Sequence, residues 1–310
     1  MRVVVFSDVH AILQAFDDFI AEATAAGAEV FWFLGDIIGY GPHPVAALER
    51  LYTLMKQDKR NCCVLGNHDC GVVQWHQRQE ETGIQVGDQI ISSDPFQPEA
   101  RQINHIHADL LAEKVPDLLQ WLAGLPLRAQ PLPGFYLAHG SFAPDSDHNT
   151  VWTYGTKSSY VAKDQLKRLM KMAGAAMVSP STETLAPVRL AAYGHYHVPA
   201  LYRWDSQHQD LLVADPFAEE WFTFGDLTAA PVLINPGSIS LPRPNAPYVQ
   251  ASYALLDIAE DGNTVQIGFR RFFYPWQSLL ESISPGYPRY QELRAEIQAV
   301  GWPPPQLRED

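Results

Sequence analysis

The chain has 310 residues, room for one large folded unit with insertions or two modest ones, and its 46% hydrophobic and 18% charged residues suit a soluble protein with a sizeable core. A formal charge of -13 argues against tracking a nucleic-acid backbone, which needs clustered Lys and Arg, and no basic run or basic-aromatic stripe occurs. No stretch approaches the ~18 consecutive apolar residues of a membrane span, and the opening Val3-Val4-Val5-Phe6 is too short for a signal-peptide core. The cysteines are Cys62, Cys63 and Cys70; an odd count with neighbours on opposite faces of a strand suits no disulfide framework and predicts a reducing, cytoplasmic setting.

Val3 to Phe6 reads as a buried strand, and Ile12 to Ala26 as an amphipathic helix with Leu13, Phe16, Phe19 and Ile20 on one face. Glu29 to Leu34 is a second buried strand, Pro44 to Lys56 a second helix and Cys62 to Leu65 a third strand. Continuous apolar strands alternating with helices predict parallel pairing in an α/β layer structure. From Gly71 to Gln130 polar residues become frequent, with helical spacing from about Ala100 to Ala123, which predicts a helical cap inserted over the strand ends. Strand character returns at Gly134 to Ala138, a helix is predicted over Ser158 to Ala175, and Val188 to Tyr193 is another strand. Ala200 to Arg203, Asp210 to Ala214, Tyr253 to Asp257 and Val265 to Arg271 alternate as antiparallel strands do; Ala218 to Ala230 reads as a looser excursion, and the end from Pro303 as flexible.

One event recurs along this path: a buried strand stops and displays ligand-type side chains. The first strand gives Asp8-Val9-His10, the second Gly35-Asp36 and the third Gly66-Asn67-His68-Asp69. Later come His139 in Ala138-His139-Gly140-Ser141 and the pair in Gly194-His195-Tyr196-His197. Each piece alone has a plain structural reading: Asp36 as a helix cap, Asp69 as a turn cap, His139 as a satisfied buried histidine. Together they place carboxylates, imidazoles and an amide at the C-terminal ends of successive strands, where open α/β sheets bind ligands. Residues two apart in extended chain share a face, so Asp8 can converge with His10 and His195 with His197.

These blocks resemble the calcineurin-like metallophosphoesterase family, whose pattern is Asp-x-His, Gly-Asp, Gly-Asn-His-Asp/Glu, a histidine before Gly, and Gly-His-x-His. All five stand in the family's order between Asp8 and His197, and the resemblance extends over roughly residues 1 to 270. Gly35-Asp36-Ile37-Ile38-Gly39-Tyr40-Gly41-Pro42 and Asn235-Pro236-Gly237-Ser238, with Pro242-Arg243, look like its bacterial and archaeal phosphodiesterase-like branch. The Arg that the protein Ser/Thr phosphatase branch carries after Gly-Asp is missing from Ile37 to Gly41.

The resemblance implies an α/β layered sandwich of mixed sheets flanked by helices, with a helical cap: residues 1–272 as the metallophosphoesterase domain, with the cap at about 71–130, and 273–310 as a C-terminal helix and flexible tail. Carried over, one metal is held by Asp8, His10, Asp36 and His197, and the other by Asp36, Asn67, His139 and His195. The bridging carboxylate suits a two-metal clamp in which a shared hydroxide attacks phosphorus. Mixed imidazole and oxygen ligands fit two divalent ions, Mn2+, Fe, Ni2+, Co2+ or Zn2+, without choosing among them; four protein ligands each plus a shared solvent give a coordination of five or six, which puts Mn2+ or Fe ahead. His68 is left to face substrate, with Asp69 expected to fix its tautomer. Arg243 could bind phosphate as a fork, or form a structural ion pair.

The expected activity is hydrolysis of phosphodiester or small nucleotide-type substrates. The competing readings are a binding scaffold that keeps the metal site without turnover, and a metal-dependent nuclease, against which the charge balance counts. A homodimer is a family-style expectation that no residue here carries. His43 could touch substrate from the loop after Asp36 but reads first as an exposed turn histidine; His76, His105, His107 and His148 have no ligand spacing and read as solvated helix or loop positions; Trp75, Trp121 and Trp152 could line a base-stacking pocket, with packing of the cap the plainer account.

Overall fold

The computed structural model describes residues 1–77, 84–86, 89–91, 98–140, 142, 163–164, 166–171, 186–242, 250–274, 279–281, 283–288 and 290–301. The chain opens with β1 (Arg2–Phe6), α1 (Leu13–Ala25), β2 (Val30–Phe33), α2 (Pro44–Gln57), β3 (Cys62–Cys63) and α3 (Asn67–Gln77). A small ribbon, β4 (Ile84–Val86) with β5 (Gln89–Ile91), precedes α4 (Pro98–Lys114) and α5 (Pro116–Ala123). Then come β6 (Arg128–Leu132), β7 (Phe135–Ala138), β8 (Leu190–Tyr193), β9 (Ala200–Asp205), β10 (Asp210–Ala214), β11 (Phe222–Phe224) and β12 (Val232–Asn235). The long hairpin β13 (Ala251–Ile258) and β14 (Val265–Phe272) and the helix α6 (Tyr290–Gly301) complete the order.

Two six-stranded sheets result, ordered β11-β14-β13-β1-β2-β3 and β10-β9-β12-β8-β7-β6. Both are mixed: β1, β2 and β3 run parallel, as do β7, β8 and β12, while their outer partners are antiparallel. The sheets pack face to face. Val3, Val5, Trp32 and Leu34 of the first meet Phe135, Leu137, Leu190 and Ile234 of the second in one buried cluster. The alternate residues, Val4, Phe6, Phe31 and Phe33, point the other way, into a cluster shared with α1, α2, α4 and α5. The outer face of the second sheet, with Tyr136, Tyr193 and Trp204, is covered by Leu166 and Leu169. A strand covered on both faces has no polar side to display, which is why β1 and β2 read as unbroken apolar runs.

Several sequence readings shift. The strand predicted over Cys62 to Leu65 is only two residues long, because α3 begins at Asn67, directly on the motif. The spacing from Ala100 to Ala123 is two helices, broken at Val115 before Pro116, whose ring cannot continue a helix. Strand β12, central to the second sheet, was not read at all: Val232 to Ile234 is too short a run, between Pro231 and Pro236, to separate from a loop. The excursion over Ala218 to Ala230 contains the edge strand β11. Cys62 and Cys63 point into different cores, as neighbours on a strand must, and all three cysteines are free thiols. Among the described residues no helix is long and apolar enough to cross a membrane. Arg243, His148, Trp152 and most of the helix predicted over Ser158 to Ala175 lie outside the described residues.

Candidate metal centre

The C-terminal ends of β1, β2, β3, β7 and β8 meet at one end of the sandwich, and the residues that follow them turn inward there. Asp8, His10, Asp36, His195 and His197 all have φ between 49° and 72°. Left-handed backbone is unfavourable for residues with a Cβ and collects at functional sites where the surroundings over-determine it. Here the determinants are backbone bonds between the two loops: Asp8 N–H donates to Gly35 O, and Val9 and His10 N–H both donate to Asp36 O. Gly66 is required by contact, since a Cβ there would overlap Asp36 Oδ1 and the Asp36 amide.

The side chains form two adjoining sets. In the first, His197 Nε2 lies 3.1 Å from Asp8 Oδ1 and 3.0 Å from His10 Nε2. In the second, Asn67 Oδ1 lies 3.0 Å from His139 Nε2 and 2.8 Å from His195 Nδ1. Asp36 Oδ2 stands between them, 3.2 Å from His139 Nε2 and 3.9 Å from His10 Nε2. Asp36 Oδ1 meanwhile accepts the His68 N–H at 2.8 Å, at the start of α3 where the helix dipole favours a carboxylate. Asp8, His10, Asp36 and His139 are 1% exposed or less, whereas His195 keeps partial exposure and marks the open side.

Which atoms carry protons decides what this arrangement can hold. His10 Nδ1 faces Ile38 O at 3.2 Å, His139 Nδ1 faces Leu34 O at 2.8 Å, and His197 Nδ1 faces Leu241 O. A carbonyl only accepts, so each Nδ1 carries the hydrogen and each neutral ring turns a bare Nε2 lone pair inward. Two such lone pairs, on His10 and His197, face each other at 3.0 Å, and Asp8 Oδ1 is buried without a hydrogen-bond donor among the described residues. Among the described residues no Lys or Arg forms an ion pair with Asp8 or Asp36. Uncompensated buried carboxylates cost several kcal/mol each. Converging lone pairs with excess negative charge fit cations, and the groups Asp8-His10-His197, Asp8-Asp36-His139 and His10-Asp36-His68 each bring one ligand atom per residue close enough to hold one.

Without a cation the site draws on protons instead. Burial works against charge on His139, but the Asp36 carboxylate and its hydrogen bond outweigh it and push the imidazole up to about 9. Burial likewise works to raise Asp8 and Asp36, yet the His197 and His139 imidazoles respectively hold both carboxyls below the usual range. Burial lowers the His10 and His68 imidazoles below the ordinary histidine range.

Two expectations change. Asp69 does not face the His68 ring: Oδ2 accepts from Asp36 N–H at 2.8 Å and Gly66 N–H at 2.9 Å, and Oδ1 from Ile38 N–H at 3.1 Å. Consecutive helical residues point about 100° apart, so a neighbour in sequence is badly placed to orient a ring, and Asp69 is instead the capping carboxylate of α3, tying two loops together. The group at His68 Nδ1 is Asn104 Oδ1, 3.2 Å away on α4. His107, predicted solvated, is 1% exposed, and burial holds its imidazole down at about 3. Tyr287 Oη donates to Gly41 O at 2.8 Å, so His107 Nε2 donates to Tyr287 Oη at 3.0 Å, and its Nδ1 accepts the Gly39 N–H at 3.4 Å. Helix position alone gave no hint of either residue. Trp75 does pack within the helical segment, stacked on His105, and Trp121 meets Tyr52 edge-on.

The block after β12 supports the first set from behind. Ser238 Oγ and Ser240 Oγ both donate to Asp8 O, at 2.9 and 2.8 Å, and Leu241 O receives His197 Nδ1. Asn235 Nδ2 reaches Gly194 O at 2.9 Å, in the turn that carries His195 and His197.

An α/β sandwich with Asp and His side chains gathered at its parallel strand ends has the ligand set of a metal centre. The chain belongs to the calcineurin-like phosphoesterase family, whose model matches residues 1–199. Its fold is similar to a metallophosphoesterase of Sphaerobacter thermophilus, 25% identical, with a TM-score of 0.65 over 96% of this chain and 99% of that one. A hypothetical protein of Pyrococcus horikoshii OT3 shares the fold at 14% identity, with a TM-score of 0.60 over 95% of this chain and 96% of the other. An uncharacterized protein of Methanocaldococcus jannaschii is 36% identical over 72 residues, so the match spans 23% of this chain and about a quarter (27%) of that relative. The family uses divalent metals and acts on phosphoester substrates.

Proposed function

We propose that the chain is a dinuclear-metal-dependent phosphoesterase acting on phosphodiester or small nucleotide-type substrates. The single observation that carries this reading is the convergence of bare imidazole lone pairs and two buried carboxylates with no Lys or Arg partner among the described residues. In this reading Asp8, His10, Asp36 and His197 hold one ion, and Asp36, Asn67, His139 and His195 the other. When bound, the ions supply Lewis acidity toward phosphoryl oxygens and lower the pKa of solvent at the site. The donor set, imidazole with carboxylate and amide oxygen, suits Mn2+, Fe, Ni2+, Co2+ or Zn2+, and four protein ligands per ion with room for solvent, which implies a coordination of five or six, favour Mn2+ or Fe.

The chain's own contribution is position. Asp36 spans both sets, and His139, His10 and His197 are held by backbone carbonyls with Nε2 inward. His68 takes the substrate side, where a ring nitrogen can meet phosphoryl charge or protonate the leaving oxygen. Tyr40, half-buried, stands 4.4 Å centroid to centroid from His68 and 4.7 Å from His10, beside the ring assigned to the substrate side. In the same reading residues 1–272 form the catalytic unit, α4 and α5 cap it, and 273–310 is a C-terminal addition whose Leu279, Ile283 and Leu293 join the core.

The test is a panel of a chromogenic diester, nucleotides, dinucleoside polyphosphates and monoesters with Mn2+, Fe2+, Ni2+, Mg2+ and no metal. Metal-stimulated hydrolysis of small esters is the expected outcome. Metal binding without turnover of any substrate would instead assign a binding scaffold, and preference for single-stranded DNA a nuclease.

A further inference from the structure

We infer that Asn104 of α4 is the positioning residue for His68, its amide oxygen holding the ring with the hydrogen on Nδ1 and the lone pair on Nε2. The inference rests on the phosphoesterase reading of the site and adds to it the means by which the helical segment takes part in the reaction.

Three observations carry it. Asn104 Oδ1 lies 3.2 Å from His68 Nδ1, and an amide oxygen can only accept, so the hydrogen belongs to Nδ1. Asn104 is 1% exposed, and its Nδ2 is buried without a hydrogen-bond partner among the described residues. Leaving a buried donor unmade costs about 1–3 kcal/mol, so in the orientation shown the amide gives up one bond while keeping its oxygen on the ring. Finally, α4 is bonded to the loop behind the ring. His107, one turn after Asn104, ties the helix to Gly39 N–H and, through Tyr287, to Gly41 O. Gly39 in turn backs the His68 imidazole so closely that a Cβ there would lie 2.6 Å from Nδ1. Asp69, the alternative orienting group in sequence, has both oxygens committed to backbone amides.

The experiment compares wild type, N104L, N104D, H68A and N104L/H68A, with a chromogenic phosphodiester and Mn2+ for kinetics and metal-free, 15N-histidine-labelled full-length protein for NMR. In wild type the resonance that H68A removes should show the hydrogen on Nδ1, and N104L should lose that signature. N104L should lower kcat about 10–100-fold with KM within about threefold and metal content unchanged, while N104D, which keeps an accepting oxygen, restores most of the loss. Because Asn104 acts through His68, N104L should cost nothing further in the H68A background. Wild-type kcat in N104L, an additive loss in the double variant, or a His68 hydrogen on Nε2 in wild type would each overturn the inference. A wild type that turns over no substrate with any metal, yet shows the Asn104-dependent tautomer, would uphold the positioning and overturn the phosphoesterase reading instead.

Discussion

At the residue scale, the site is a set of individually unfavourable conformations held in place by specific bonds. A left-handed non-glycine residue costs on the order of 1–2 kcal/mol, and Asp8, His10, Asp36, His195 and His197 all adopt that backbone. Such strain persists only while its supports do, which makes Gly66 a sharp probe: a Cβ there displaces the Asp36 carboxylate itself. Gly66→Ala should weaken metal affinity at least about tenfold, measured by calorimetric titration; unchanged affinity would show that Asp36 is not the shared ligand. His68 makes the complementary case. Its ring adjoins His10 edge-on, with centroids 5.1 Å apart, but it belongs to neither proposed ligand set. His68→Ala should keep its metal, by elemental analysis, and lose ~10²–10⁴ in turnover. Loss of the metal with the ring would make His68 a ligand in the group it can form with His10 and Asp36.

At the element scale, the segment 235–241 that follows β12 acts as a brace. Two serine hydroxyls converge on one carbonyl, Asp8 O, and Ser238 Oγ in turn accepts the Ser240 and Leu241 amides. Tyr274 Oη donates to Ser240 O at 2.6 Å, and Ser252 Oγ to Pro236 O at 2.8 Å, so the brace is bonded to β13 and the chain beyond β14. Groups behind a ligand that hold its backbone typically contribute 10–100-fold in metal affinity. The double substitution Ser238→Ala and Ser240→Ala should therefore weaken binding by about that factor while circular dichroism stays that of the wild type. A loss confined to thermal stability, with affinity intact, would reduce the brace to a packing element.

At the scale of the whole molecule, the two sheets bring a surplus of buried negative charge to one end, and cations or protons must balance it. In the metal-free protein His139 is pushed up to about 9 from an ordinary value near 6.5. A raised histidine stabilises fully below pH 6.5, and that stabilisation is lost as pH climbs to 9; the difference amounts to roughly 3 kcal/mol. His107, held at about 3, acts the other way: stability falls as pH drops below 6.5, because the unfolded chain takes the proton first. Without metal, thermal stability should therefore decline on the alkaline side, between about pH 7 and 9. Saturating metal should remove the alkaline decline, since the ion replaces the His139 proton, and should add about 2.7 kcal/mol at a hundredfold excess over Kd. Thermal scans from pH 5 to 9 with chelator and with Mn2+ test both statements; an alkaline decline that survives metal would mean the ion does not occupy the His139 side.

The strand-end motifs were legible because each is local. A buried run followed by Gly and a polar pair can be read within a few residues, and the order of five such blocks identifies which ends belong together. An α/β layer covered on both faces followed from unbroken apolar runs at Val3 to Phe6 and Glu29 to Leu34, since a strand apolar on both sides must be covered on both, whereas the sandwich of two mixed sheets came only with the family resemblance. What only the tertiary structure decided are the relations across distance. Asn104 meets His68 across 36 positions, His107 meets Tyr287 across 180, and Ser238 meets Asp8 across 230. None of these pairs has a period or spacing, because the sheets and α4 create the contact and the chain between is free to vary. Adjacency even misled: Asp69 follows His68 directly, yet helical geometry sends it to the backbone of another loop, and the ring is met by an amide from a helix that the strand pattern never implied.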